Sequence, residues 1–398
     1  MVSLYRENSL QQFWKLTTPI DDTIWQKSSE MVIEKMKLPC ENHEGVLSWS
    51  LGEGKSKQND WRLSLPKQIY YHLKPLIPHA VSRHLRRFFC AEKQNHERDH
   101  LYWPIDDRLV DYLWGVLACV LEISGQEDFE MVWFWPDRKQ NAFVLTHDIE
   151  TEFGQAHVDE IAKVDAEFGF RSAFFFVCKR YNLDMGLIQS LKDRGFEIGI
   201  HGFNHDGKLF CMRTCPEERF AKIKQFADHI GAKSFRSPMT LRDPYRMQSL
   251  DLPYDLSYFD TDPFEPMPGG TKSVFPFQMG KLLELPYTLA QDYTLFELLK
   301  ETTPKTWNKK VDYLRSINGM ILLDSHPDYL MLGKNLDVYR EFLEGMQRRK
   351  DGLYHALPAE VGEWWQERSE TVGGNISGRA SITKIIKNTQ TQSLSFIL

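Results

Sequence analysis

The sequence has no apolar run long enough to cross a bilayer; its longest, Tyr112 to Ile123, falls well short. Its start, Met1-Val-Ser-Leu-Tyr-Arg-Glu-Asn8, lacks the apolar core of a secretory leader, so a cytoplasmic location is expected. Cysteine is sparse and scattered, with six residues at 40, 90, 119, 178, 211 and 215. Several, such as Cys119 and Cys178, lie in apolar surroundings and read as reduced core thiols. Long runs of like charge are also missing. The net charge of −6 is spread along the chain, so there is no basic footprint and no nucleic-acid partner is expected. No internal repeat or low-complexity block is present. Aromatic residues, by contrast, are plentiful at 13%, with eleven tryptophans. Sugar-binding clefts use exposed aromatic faces, but large cores use the same residues, and core is the default reading.

At 398 residues the chain can hold one large α/β domain of the barrel type and a smaller one. Residues 1–137 lack regular strand-helix alternation and read as a mainly helical region of unknown role. Within it, Lys74 to Phe89 sets Arg83, Arg86 and Arg87 beside Leu85, Phe88 and Phe89. This reads as a solvated helix face packed by its aromatics, with contact to an anionic membrane surface or an acidic ligand as the alternative. Asp106 to Gly125 reads as a helix stopped by Gly125. Over residues 138–370 strands and helices alternate. The strands are expected at Ala142–Thr146, Ala173–Val177, Glu197–Ile200, Ser234–Ser237, Leu283–Leu289 and Met320–Asp324. Helices are expected at Ala156–Phe168, Met185–Arg194, Pro216–Ile230, Trp307–Ser316, Leu336–Arg348 and Pro358–Glu370, and single helices between strands imply a parallel sheet. Residues 371–398 read as a polar tail in which Ala380 to Ile386 can add one strand.

Chemistry concentrates at the ends of these strands, where α/β folds collect it. Ala142 to Thr146 is short, unbroken and apolar, and gives way to His147, Asp148 and Glu150, two acids one residue apart. Glu197 to Ile200 is followed by His201 and His205, whose spacing suits one metal ion. Parallel strands bring both sets to one face, so a carboxylate and two imidazoles converge with positions left for water or substrate. A competing site would use Cys211 and Cys215 with these histidines. Asp260 and Asp262, in Asp-Thr-Asp-Pro, also make good turn chemistry. His147 fits the opposite face of its strand and is given no role.

From Asn141 to His326 these features resemble the polysaccharide deacetylases of carbohydrate esterase family four, the NodB-homology domain. The motifs run in the family's order: Thr146-His-Asp-Ile-Glu150; His201 with His205; Phe235-Arg-Ser-Pro238; Phe259-Asp-Thr-Asp262-Pro-Phe-Glu265; and Ile321-Leu-Leu-Asp-Ser-His326. Two of them depart from the common pattern. Ile149 separates the acids, as in an Asp-x-acid branch, and two polar residues precede His326. The resemblance implies a distorted (β/α) barrel and a metal-dependent hydrolase that removes an N-acyl (acetyl) group from an amino sugar or glycan intermediate. It implies Asp148 as base and Glu150, His201 and His205 as metal ligands, although Asp148 and Glu150 can exchange these duties. His326 becomes the general acid, Arg236 orients the catalytic carboxylate, and Asp262 braces Arg236 or the substrate.

Amide hydrolysis accounts for those residue types. A divalent metal lowers the pKa of water towards about 7 and polarises the carbonyl, a carboxylate takes the proton, and an acid protonates the leaving nitrogen. Zinc is the expected ion for an acid-His-His set, with manganese, cobalt, nickel and iron able to use the same ligands. The expected partner is a carbohydrate or N-acyl small molecule. Alternatives are hydrolysis of another C–N bond, in a cyclic amide or imide, and a non-catalytic glycan-binding barrel.

Overall fold

The computed structural model describes residues 4–55, 58–64, 67, 102–210, 216–371, 378–387 and 394–397. The segment Lys74 to Phe89 and the pair Cys211 and Cys215 lie outside them. In chain order the strands are β1 (Asp128–Val132), β2 (Asn141–Ile149), β3 (Ala173–Phe176), β4 (Glu197–Ile200), β5 (Ser234–Phe235) and β6 (Tyr254–Asp255). They continue with β7 (Phe277–Met279), β8 (Leu282–Glu284), β9 (Ile321–Ser325), β10 (Leu353–His355), β11 (Ile382–Lys387) and β12 (Leu394–Ile397).

β2 is the axis of the larger sheet. It is buried along its whole length, and so reads as continuous apolar sequence rather than as alternation. β3, β4, β5, β6 and β8 follow from it in parallel. Beyond β8 the chain runs on beside β6, with Leu285 N donating to Asp255 O and Tyr287 N to Tyr258 O. It then crosses to β9, where Leu289 bridges Leu323 in parallel, and β9 pairs with β2. The strands therefore close into a distorted (β/α) barrel. β7 is antiparallel to β8, and β10 pairs with the start of β2.

Helices cover the barrel where the sequence places them. Glu152–Glu167, Met185–Asp193, Pro216–Ile230, Lys305–Ser316, Asn335–Gln347 and Pro358–Glu370 follow the expected spans to within a few residues. Thr151 caps the first of these, its hydroxyl accepting from Gly154 N at 3.1 Å. β2 runs further than expected. His147 and Asp148 are still strand residues, paired in register with Phe174 and Phe175, so only Glu150 lies beyond the end.

The N-terminal region is mainly helical: Leu10–Trp14, Asp22–Met36, His43–Ser50 and Arg108–Ser124, the last ended by Gly125 at φ +65°. The smaller sheet joins the two chain ends, since β11 lies between β1 and β12 in antiparallel pairing. Trp14, Trp114, Phe134 and Phe396 pack ring on ring beneath it. The apolar residues of the N-terminal region and the barrel form one continuous core.

Candidate active site

Because β2, β4, β5 and β9 are parallel, the residues just past them meet at one end of the barrel. Neighbouring residues on a strand face opposite ways, which separates His147 from Asp148. His147 points outward into a polar cluster, with Nε2 2.9 Å from Asp165 Oδ2 and Nδ1 2.9 Å from Ser325 Oγ. Asp148 points inward. After β4, the His201 backbone N–H still donates to Phe176 O at 2.8 Å. Gly202 then turns the chain at φ +66°, at a point where a Cβ would lie 2.4 Å from the Pro238 ring. Only glycine fits that approach. The turn brings His205 back, its ring centroid 5.1 Å from that of His201.

Glu150, His201 and His205 offer one ligand atom each, all within 4.8 Å of one another. Glu150 Oε1 lies 2.9 Å from His205 Nε2. Both nitrogens of His201 and Nε2 of His205 are buried without an aligned hydrogen-bond partner, although His201 Nδ1 is 3.2 Å from Asp148 Oδ2. A buried imidazole left without partners is costly. A divalent cation would satisfy these nitrogens and the Glu150 carboxylate together, and an acid-His-His set is of the type that binds zinc with a position left open. The residues therefore fit the ion. Burial pushes the His201 imidazole down to about 3, which keeps it in the neutral, ligating form. Burial acts to raise Glu150, but the His205 imidazole beside it outweighs this and holds the carboxyl well below its ordinary range.

Arg236 follows β5, and its guanidinium is fully buried. Its Nη1 donates to Asp148 Oδ1 at 2.9 Å and to Asp324 Oδ1 at 2.6 Å. Its Nη2 donates to Thr146 Oγ1 and its Nε to Leu256 O. The plane lies 4.9 Å from the Phe175 ring, which has room because Gly199 carries no Cβ to strike it. The two acids respond oppositely. Burial raises both, but Arg236 and His201 hold Asp148 below its ordinary value, while burial and the Asp148 charge push Asp324 well up. Asp148, Asp324 and His326 also lie within reach of one cation, but the guanidinium already serves the two acids.

His326 follows β9. Its Nδ1 donates to Asp292 Oδ1 at 2.8 Å and its backbone N–H to Asp292 Oδ2 at 2.8 Å, so one carboxylate fixes both ring and main chain. Nε2 is left facing Glu150, 3.9 Å from its Oε1. Burial disfavours the imidazolium, but Asp292 outweighs it and holds the ring well above its ordinary pKa.

Six of the seven residues singled out from the sequence thus come together: Asp148, Glu150, His201, His205, Arg236 and His326. Asp262 does not brace Arg236. Its Oδ1 accepts from Phe264 N at 2.7 Å and its Oδ2 is buried without a partner, while burial and Glu265 push its carboxyl well up. The bracing acid is Asp324, which also accepts from Gln291 Nε2 at 2.9 Å. Asp324 stands inside the motif that ends at His326, so its strand position was a usable signal. Gln291 and Asp292 stand at the start of the short helical segment Tyr293–Leu298, which Asp292 caps, and no motif marked them.

No family model and no curated protein matches the sequence. Solved structures similar to this chain include a protein assigned as a polysaccharide deacetylase from Mycobacterium smegmatis. It is 20% identical over 61% of this chain and 96% of that one, with a TM-score of 0.49. The allantoinase Puue is 15% identical over 58% of this chain and 92% of its own, with a TM-score of 0.48. The peptidoglycan deacetylase PdaC from Bacillus subtilis is 13% identical over 59% and 95%, with a TM-score of 0.39.

Proposed function

We propose that this protein is a metal-dependent hydrolase that removes an N-acyl group, with an N-acetyl amino sugar or glycan intermediate as substrate. One observation carries the reading: the buried, unbonded nitrogens of His201 and His205 face Glu150, with a braced carboxylate and a braced histidine alongside. Glu150, His201 and His205 would hold zinc, which when bound acidifies water and polarises a carbonyl. Asp148 takes the proton at Oδ2, because Arg236 occupies Oδ1. Arg236 keeps that carboxylate ionised and fixes its angle. His326 Nε2 delivers a proton to the departing nitrogen, since Asp292 both aims the ring and keeps it charged. The sugar in the substrate rests on the ordered motifs from Thr146 to His326.

The test is acetate release by the zinc-reconstituted protein from N-acetylglucosamine oligomers and from nucleotide-linked N-acetyl sugars. Release that is lost in Asp148→Asn and in His326→Gln is expected. Ring opening of a cyclic amide or imide without acetate release would move the reading to the other C–N substrates. Glycan binding with no turnover at all would leave a binding barrel. A cytoplasmic site of action is part of the proposal, and no helix among the described residues is long and apolar enough to cross a membrane.

A further inference from the structure

A cavity of about 280 Å³, which shares no lining residue with the strand-end site, lies between the N-terminal helices, the β7–β8 hairpin and the helix Pro358–Glu370. Phe13, Leu47, Leu51, Leu109, Leu113 and Phe277 give it apolar walls. Arg368 also lines it, and Arg368 is buried, with 2% of its surface exposed. The cation has no carboxylate partner among the described residues. Its Nε donates to Trp133 O at 3.0 Å, and its Nη2 to Phe13 O at 2.8 Å and Val132 O at 3.0 Å. Phe134 and Trp365 lie 5.2 and 5.1 Å from the guanidinium. Nη1 is left over, without a hydrogen-bond partner among the described residues and not sealed from contact.

A buried charge that meets carbonyl dipoles and ring faces but no anion is an expensive arrangement. Burial alone accounts for the fall of this guanidinium to about 9, with no acid near enough to offset it. Lys15 adds positive charge nearby, its Nζ donating to Ser369 O at 2.6 Å. The nearest acid lining the cavity, Glu7, is exposed and makes no ion pair with Arg368. An anion that brought its own apolar body would offset the charge and fill the walls at once.

We propose that this cavity binds a medium-chain carboxylate, with its head on Arg368 Nη1 and its chain against the leucine and phenylalanine walls. The size agrees: a cavity of roughly 150 Å³ takes a benzene-sized guest of six heavy atoms, so 280 Å³ accommodates about ten, the size of octanoate. The charge agrees as well. One open nitrogen offers two N–H donors and a single positive charge, which serves a carboxylate and under-serves a phosphate dianion with three acceptor oxygens. The proposal is independent of the hydrolytic reading of the strand-end site.

Calorimetric titration of the full chain with octanoate, octylamine, octan-1-ol and octyl phosphate tests it. Octanoate is expected to bind at about one per chain, at least tenfold tighter than the amine, the alcohol or the phosphate ester. Equal affinity for octan-1-ol would reduce the cavity to an apolar hole, tighter octyl phosphate would overturn the choice of head group, and no octanoate binding would overturn the site. Leu109→Trp, which puts a larger side chain into the cavity wall and leaves the Arg368 side chain in place, should weaken octanoate at least tenfold, and unchanged binding would place the ligand elsewhere. Arg368→Gln should erase the preference for octanoate over octan-1-ol; if that variant fails to fold, the four parent titrations and Leu109→Trp still decide.

Discussion

Arg242 enters the barrel wall only six residues after Arg236, and its charge is balanced from the N-terminal region. Its Nε and Nη2 grip the two oxygens of Glu53 at 2.6 and 2.7 Å, with Lys55 Nζ adding a third donor at 2.9 Å. Both side chains of the fork are buried. Burial alone would raise Glu53, but Arg242 and then Lys55 bring its pKa down from 4.5 to about 2. The folded state thus binds this proton more weakly than the unfolded state, so the pair's stabilisation is complete above pH 4.5 and is lost as pH falls towards 2. That difference in pKa corresponds to about 3 kcal/mol. It matches the roughly 3–5 kcal/mol expected when one partner of a buried pair is removed. Urea unfolding of the parent and Glu53→Gln should therefore differ by about 3 kcal/mol at pH 7. The gap should shrink to about 1.5 kcal/mol at pH 3, where the parent's own Glu53 is protonating. A gap below about 1 kcal/mol at pH 7, or one that does not narrow in acid, would refute the view that this pair ties the N-terminal region to the barrel.

Two further outcomes follow from the site. Gly202→Ala, which forces a side chain onto Pro238 at positive φ, should displace the turn that carries His205 and weaken zinc binding about 10–100-fold, read by competition with a chelating dye. Asp292→Asn removes the charge that holds His326 protonated, so the alkaline limb of the pH–rate profile should move to lower pH; an unmoved limb would mean that His326 is not the acid.

The barrel was legible because its strands are short apolar runs with single helices between them, and the helix Pro216–Ile230 and β4 fall where expected. β1, β6, β7 and β10 were not. They are two to five residues long, and their pairing rather than their composition makes them strands. In the polar stretch after residue 371, β11 overlaps the one strand expected at Ala380 to Ile386, and it pairs with β1; β12, which pairs with β11, was not legible for the same reason as the other short strands. In the candidate site, Asp148, Glu150, His201 and His326 could be singled out because they abut clear strands, and they lie together in the fold. Arg236 was identified through its motif. Asp292 and Gln291 were missed because they open the six-residue helical segment Tyr293–Leu298, which is too short to show a period, and they stand in no motif. Asp262 was given Arg236 or the substrate because it stands in an ordered motif, but order along the chain does not fix side-chain partners, and the place beside Arg236 is held by Asp324.

Everything proposed for the strand-end site depends on Glu150, His201 and His205 sharing one ion. Elemental analysis of the purified protein and of the His201→Ala/His205→Ala double variant measures this directly. The account predicts about one divalent ion per chain in the parent and none in the variant, with the fold of both retained. Metal kept by the variant would assign it to other ligands, Cys211 and Cys215 first among them. No metal in either, after reconstitution with excess zinc, would contradict the account.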